Sequence, residues 1–227
     1  MDGLWFTFHG MHWVLYLRAL KPISQAQAFF LDPVLLPGRE LPGRWTLAIE
    51  HIPPELKKRV KALVCDGFRS SHRLAAKHGW TLQRCHFHLL LQLQANRGGW
   101  KLKRRADRKL RESMYQDVRA ALATPNPKKL RQIVRRLRHA LGQPQCPRRY
   151  GAIVREFLRR LEDFRAYLRQ PELNPPITTN TMESMNKLIR AKTHMLPTPA
   201  ALRQWTLAMV RTIKKLKCNG HITNQIK

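Results

Sequence analysis

Three carboxylates fall where a strand begins, where a strand ends and where a helix begins. Asp2 opens the run DGLWFTFHG, Asp66 closes the apolar run VKALVC ahead of Gly67, and Glu183 lies in the first turn of TTNTMESMNKLIR. Hard oxygen donors delivered from separate elements suit Mg2+ or Mn2+, which favour carboxylate and water ligands. Two such ions about 3.5–4 Å apart can activate an attacking oxygen and stabilise the leaving oxygen in phosphodiester chemistry. Each acid also has a plainer reading. Asp2 can be a solvated residue at the start of the chain, Asp66–Gly67 is a common turn pair, and Glu183 completes a capping box with Asn180 as N-cap. Residue types and spacing leave both sets of readings open.

A second constellation is CHFH. Cys85 and His88 stand in a C-x-x-H spacing, with His72, His78 and His86 nearby in sequence. A structural zinc site needs four ligands at readable spacings, and no second pair follows. The expectation is therefore a Cys85 buried at a strand end and a His88 that packs, hydrogen-bonds or contacts phosphate.

The elements that must position these groups are readable in outline. WFTFHGMHWVLYL is aromatic and β-branched on both sides of a Gly-centred turn, which predicts a hairpin. QAFFLDPVLL predicts a further strand, with Pro33 pointing to an edge or a bulge. RWTLAIEHI carries Trp45, Ala48, Ile49 and Ile52 at helical spacing and is stopped by Pro53 and Pro54. VKALVC then reads as a buried strand, SSHRLAAKHGW as a helix closed by Gly79, and TLQRCHFHLL as a strand running into a helix. From about residue 101 the pattern changes. KLKRRADRKLRESMYQDVRAAL, PKKLRQIVRRLRHAL and RRYGAIVREFLRRLEDFRAYL predict three amphipathic helices separated by turn clusters. Two more helices follow, one starting near Asn180 and one with Thr198 as N-cap and Pro199 at its first position.

Charge narrows the function classes. The 227 residues carry a formal net charge of +29. Residues 101 to 170 hold 21 basic against 6 acidic side chains, so the middle of the chain is the main electrostatic footprint. A field of that size implies a polyanionic partner, and nucleic acid is the first candidate. No segment approaches the roughly 20 apolar residues needed to span a bilayer, and no secretory signal is visible. Four widely spaced cysteines suggest no disulfide framework, which points to a reducing cytoplasm.

In order and spacing, MDGLWFTFHGMHWVLYL, RWTLAIEHIPPELKKRVKALVCDGF, LQRCHFHLLLQL and ITTNTMESMNKLIR resemble the catalytic region of bacterial DDE transposases of the Mutator-like insertion-sequence type. The resemblance covers nearly the whole chain. It implies an α/β fold with a ribonuclease H-like mixed-sheet core, interrupted by an all-helical basic insertion before the last catalytic acid. The corresponding segments are 1–100 for the first part of the core, 101–170 for the insertion, and 171–227 for the helices that complete it.

The resemblance implies Asp2, Asp66 and Glu183 as catalytic and metal-binding acids for two Mg2+ or Mn2+ ions, and Cys85 and His88 as the family's Cys-x-x-His signature. Members usually carry a DNA-recognition region ahead of the first Asp, which here is residue 2. The implied partner is double-stranded DNA, both element ends and target, in a bacterial nucleoid-associated setting, with assembly into a homo-oligomer and no membrane. Arg104, Arg105, Arg135 and Arg136 of the insert, with Lys187 and Arg190 after Glu183, are the candidate phosphate contacts. Two other functions stay open: a basic DNA-binding remnant without chemistry, and a ribonuclease H-like nuclease that cuts without joining.

Overall fold

The computed structural model describes residues 1–98, 105–213 and 216–217. Its first element is the expected hairpin, β1 (Asp2–Phe8) and β2 (Met11–Leu17), paired antiparallel from Asp2↔Leu17 to Phe8↔Met11. His9 and Gly10 both take positive φ, at 47° and 77°. A two-residue turn of that kind matches the right-handed twist of the flanking strands.

The QAFFLDPVLL segment forms two strands rather than one. β3 (Ala19–Leu20) pairs with β4 (Gln27–Phe30), and β5 (Val34–Pro37) pairs with β2. The break spans Leu31 to Pro33, where the Leu31 N–H donates to the Arg18 carbonyl at 2.9 Å. Arg18 is buried and donates from its guanidinium to the Ala48 and Asp32 carbonyls. Those bonds hold the bend where β2 passes into β3.

α1 (Pro42–Glu50) follows the predicted periodicity, burying Trp45, Ala48 and Ile49, and α2 (Pro54–Arg59) leads into β6 (Ala62–Cys65). α3 (Ser71–His78) ends on Gly79 at φ 67°. β7 (Thr81–Arg84) pairs parallel to β6, and α4 (His86–Arg97) continues directly from it. Val14 and Tyr16 of β2 face a cluster with Trp45, Ile49, Leu63 and Leu74, while Leu15 and Leu17 face another with Met182, Met185, Ile189 and Leu202. β2 is therefore buried on both faces.

The insert contains α5 (Arg105–Ala123), α6 (Pro127–Leu141) and α7 (Arg148–Arg159). They pack round Met114, Val118, Ile133, Leu137, Tyr150 and Phe157, with Leu89 and Leu93 of α4. Asn126 caps α6 by accepting from the Lys128 and Lys129 N–H groups. The third predicted helix stops short: α8 (Leu161–Phe164) and α9 (Ala166–Arg169) are separate turns. Breaks at Arg160 and Arg165 release the Phe164 carbonyl to accept from Gln83 and His86, and let the Arg165 guanidinium donate to the Ala121 and Thr124 carbonyls.

α10 (Asn180–Lys192) and α11 (Pro199–Thr212) close the chain's return, and β8 (Leu216–Lys217) pairs with β4. Thr198 caps α11 as expected, its side chain accepting from the Ala201 N–H at 3.1 Å. The chain is mixed α/β, its strands forming small sheets. No helix among the described residues is long and apolar enough to cross a membrane.

Candidate metal centre

Asp2 and α10, whose Asn186 lies 184 positions away in sequence, meet at one point. The Met1 α-ammonium donates to the Val64 carbonyl at 2.8 Å, which fixes the start of β1 beside β6. Asp2 follows as a buried residue. One of its carboxyl oxygens accepts from the Gly3 N–H at 2.8 Å and the other from Asn186 Nδ2. Asn186 is buried on α10 and sits three residues beyond Glu183, so one helical face delivers both side chains to Asp2.

Glu183 is half-buried, and its Oε1 lies 2.9 Å from His88 Nε2. It does not close the expected capping box. Thr179, not Asn180, is the N-cap residue of α10, and it makes no side-chain cap. The Glu183 side chain turns instead to His88 and Asp2. The local preference for a cap loses to charged partners that only the tertiary fold brings within reach.

Asp2, His88 and Glu183 each offer a ligand atom within 4.8 Å of the others. Asp66 is not one of that group, although its charge reaches Asp2. Burial first, and the Asp66 carboxylate second, push the Asp2 carboxyl up to about 6. His88 holds Glu183 below the ordinary carboxylate range. Below about pH 6 Asp2 therefore keeps its proton and donates it to Glu183.

The C-x-x-H pair is the hinge of this arrangement. Cys85 is buried at the N-cap position of α4, and its sulfur accepts from the Thr179 N–H at 3.2 Å and the Thr179 hydroxyl at 3.3 Å. His88 presents Nδ1 toward Thr179 Oγ1 and Cys85, and Nε2 toward Glu183. The hydrogen bond with Cys85, then that with Glu183, pushes His88 up to about 10. Burial pushes the Cys85 thiol up, but bonds from His88 and Thr179 outweigh it and leave the thiol below its usual value. The His86 N–H donates to the Ile177 carbonyl at 2.8 Å, so the turn after β7 docks the loop that leads into α10. Hence the motif sets where Glu183 arrives.

Gln83 and Arg84, the two residues before Cys85, fasten the insert. Gln83 is fully buried; its Nε2 donates to the Phe164 carbonyl at 3.0 Å and its Oε1 accepts from the Tyr167 N–H at 3.0 Å. Arg84 reaches Glu156 of α7 at 3.2 Å and the Asp66 carbonyl at 3.3 Å, and lies over the Phe164 ring. Gly67 has φ 94°, and a side chain there would collide with the Arg84 guanidinium. The Asp66 loop and the helical insert thus share one cationic clamp.

Of the sequence-predicted residues, Asp2 and Glu183 come together, and Asp66, Cys85 and His88 surround them. Asn186, Thr179 and Arg84 were not anticipated. Only Asn186 had a readable signal, three residues after Glu183 on one helical face. Arg104 lies outside the described residues, and Arg105 begins α5. Arg135, Lys187 and Arg190 are exposed, while Arg136 is held by both carboxylate oxygens of Asp117. No family model matches the chain, and no match was found among curated proteins or solved structures.

Proposed function

We propose that this chain is the catalytic core of a DDE transposase of the Mutator-like type, in which Asp2, Asp66 and Glu183 hold divalent metal ions for phosphodiester cleavage and strand transfer on DNA. The carrying observation is the meeting of Asp2 on β1 and Glu183 on α10, far apart in sequence, beside a loop that carries a third carboxylate. That meeting favours metal binding over the plain readings of two of the acids: Asp2 is anchored rather than frayed, and Glu183 is turned away from its own helix end. A β5–β2–β1 antiparallel sheet and a separate parallel β6–β7 pair, tied to each other by the Met1–Val64 bond, are compatible with a ribonuclease H-like core.

The donor set fits Mg2+ or Mn2+. Its oxygen ligands are hard, and the raised Asp2 carboxyl marks negative charge that a bound cation would relieve. Ions held there supply polarisation of an attacking oxygen and neutralisation of a leaving one. The protein's own residues do the rest. Asn186 orients Asp2; His88, itself held by Cys85 and Thr179, orients Glu183. Lys187, one turn beyond Glu183, adds positive charge on the approach side.

The test is a Mn2+ titration by calorimetry on the wild type, Asp66→Asn and Glu183→Gln. Each substitution is expected to weaken Mn2+ binding at least tenfold. If Glu183→Gln binds like the wild type, the glutamate is not a ligand and the proposal fails. Products joined to a target duplex, not merely nicked, then separate transposase from nuclease.

A further inference from the structure

Asn186 carries an oxygen that nothing in the fold uses. The residue is 6% exposed on α10, and its Nδ2 donates to Asp2 Oδ2. An ionised carboxylate only accepts, so the end of the amide facing Asp2 is the nitrogen and the other end is Oδ1. Among the described residues Oδ1 has no hydrogen-bond partner, and it is shielded from solvent. The other buried side-chain atoms in that state are indole and guanidinium N–H donors, the hydroxyls of Tyr16 and Ser70, and a ring nitrogen of His78. Of all these, Asn186 Oδ1 alone can do nothing but accept.

A buried acceptor without a donor has lost its hydration and gained nothing in return. The donors of this network are committed elsewhere. The Gly3 N–H and Asn186 Nδ2 serve Asp2, His88 Nε2 serves Glu183, and the Thr179 hydroxyl serves Cys85. The remaining groups are acceptors. Asp2 is bonded to the same amide, Glu183 lies three residues earlier on the same helical face, and the charge of Asp66 reaches Asp2. A place rich in oxygens and short of donors is served by a cation.

We propose that Asn186 Oδ1 is a further metal ligand, a neutral oxygen that joins Asp2 and Glu183 on the same divalent ion. The inference rests on the metal-centre reading above and extends it by one residue. Carbonyl oxygens suit Mg2+ and Mn2+ as carboxylates do. The E-x-x-N spacing of Glu183 and Asn186 puts both on one face of α10. The planar amide joins two tasks, because the Nδ2 bond that holds Asp2 also fixes where Oδ1 stands beside it. The residue type follows from charge. An aspartate here would set one more carboxylate against Asp2, already burdened by burial and by Asp66, and would lack the Nδ2 donor. A leucine would supply neither the donor nor the oxygen.

The test is electron–nuclear double resonance on the intact protein with bound Mn2+, its asparagines isotopically labelled at the side-chain carbonyl carbon. The wild type is expected to show the coupling of a directly ligated carbonyl. Asn186→Asp keeps an oxygen for the ion but carries no label, so at saturating Mn2+ the coupling should vanish. Asn186→Leu should weaken Mn2+ binding at least fivefold by calorimetry. Mn2+ bound to the wild type without this coupling overturns the proposal and leaves Asn186 only its bond to Asp2. A coupling that survives in Asn186→Asp comes from another asparagine and overturns it equally. Failure of Asn186→Asp to bind Mn2+, or undiminished binding by Asn186→Leu, would mean that the ion does not use this oxygen. If the wild type takes up no Mn2+ at all, the metal-centre reading itself falls, and this ligand with it.

Discussion

The Asp2 carboxyl is where the centre's electrostatics can be read most directly. Its folded value of about 6 lies above the ordinary 3.8, with burial the largest cause and Asp66 the next. Because the folded state binds this proton more tightly than the unfolded one, Asp2 contributes stability that is complete below about pH 4. That contribution disappears as pH rises through about 6, and a shift of this size corresponds to about 3 kcal/mol. Glu183, shifted the other way, acts only below its ordinary value of 4.5. His78 and His86, which burial holds below the ordinary histidine value, push the other way in this window, so urea denaturation of the metal-free protein between pH 4.5 and 6.5 should show the wild type losing stability relative to Asp2→Asn. Asp66→Asn should move the midpoint to lower pH by removing the second cause. Divalent ions compete with the same proton, so Mn2+ affinity should climb across this window. A stability difference between wild type and Asp2→Asn that stays constant across this window would refute the assignment.

Elements rather than single residues decide whether the acids meet, and one turn does most of that work. From Gln83 to His88, a strand end and the following helix start contact the insert, the Asp66 loop and the loop ahead of α10. Gly67 is the place to test this clamp. Its φ of 94° strains any side chain, and a methyl there would also displace Arg84 from Asp66 and Glu156. Gly67→Ala should cost about 1–3 kcal/mol by chemical denaturation and should loosen the insert, seen as faster amide exchange in α7. Retention of wild-type stability and exchange would mean that Arg84 does not couple the two parts. The sequence made the hairpin, α1, β6, α3 and the α11 cap legible because each rests on local periodicity or on one capping residue. It did not make legible the breaks at Arg160 and Arg165, since the groups that use the freed carbonyl, Gln83 and His86, lie about 80 positions away in sequence. The same reason explains the missing capping box at Glu183. The acids could be nominated from their places at element ends, but their meeting could not be derived from spacing.

At the scale of the whole molecule, the net charge of +29 is what the proposed DNA binding would use, and the structure divides the candidate cations into available and occupied groups. Lys187 and Arg190 are exposed on α10 beyond Glu183, and Arg135 is exposed on α6 of the insert. Arg136, next to it, is already forked onto Asp117. Removing one phosphate-binding side chain should reduce the slope of log affinity against log salt by about 0.9 on duplex DNA. The triple substitution of Arg135, Lys187 and Arg190 by Ala should thus lower the slope by about 2 to 3, measured by fluorescence anisotropy on a non-specific duplex. Arg136→Gln should leave the slope near that of the wild type, although it removes the same formal charge. This pair of variants separates direct phosphate binding from bulk field: if diffuse charge alone held the DNA, all four cations would count equally. Splitting the triple variant goes one step further. A drop carried by Lys187 and Arg190 alone would confine the duplex to the face beside Glu183. A share from Arg135 would extend its path across the insert, whose excess of basic residues would then act as a track leading to the carboxylates.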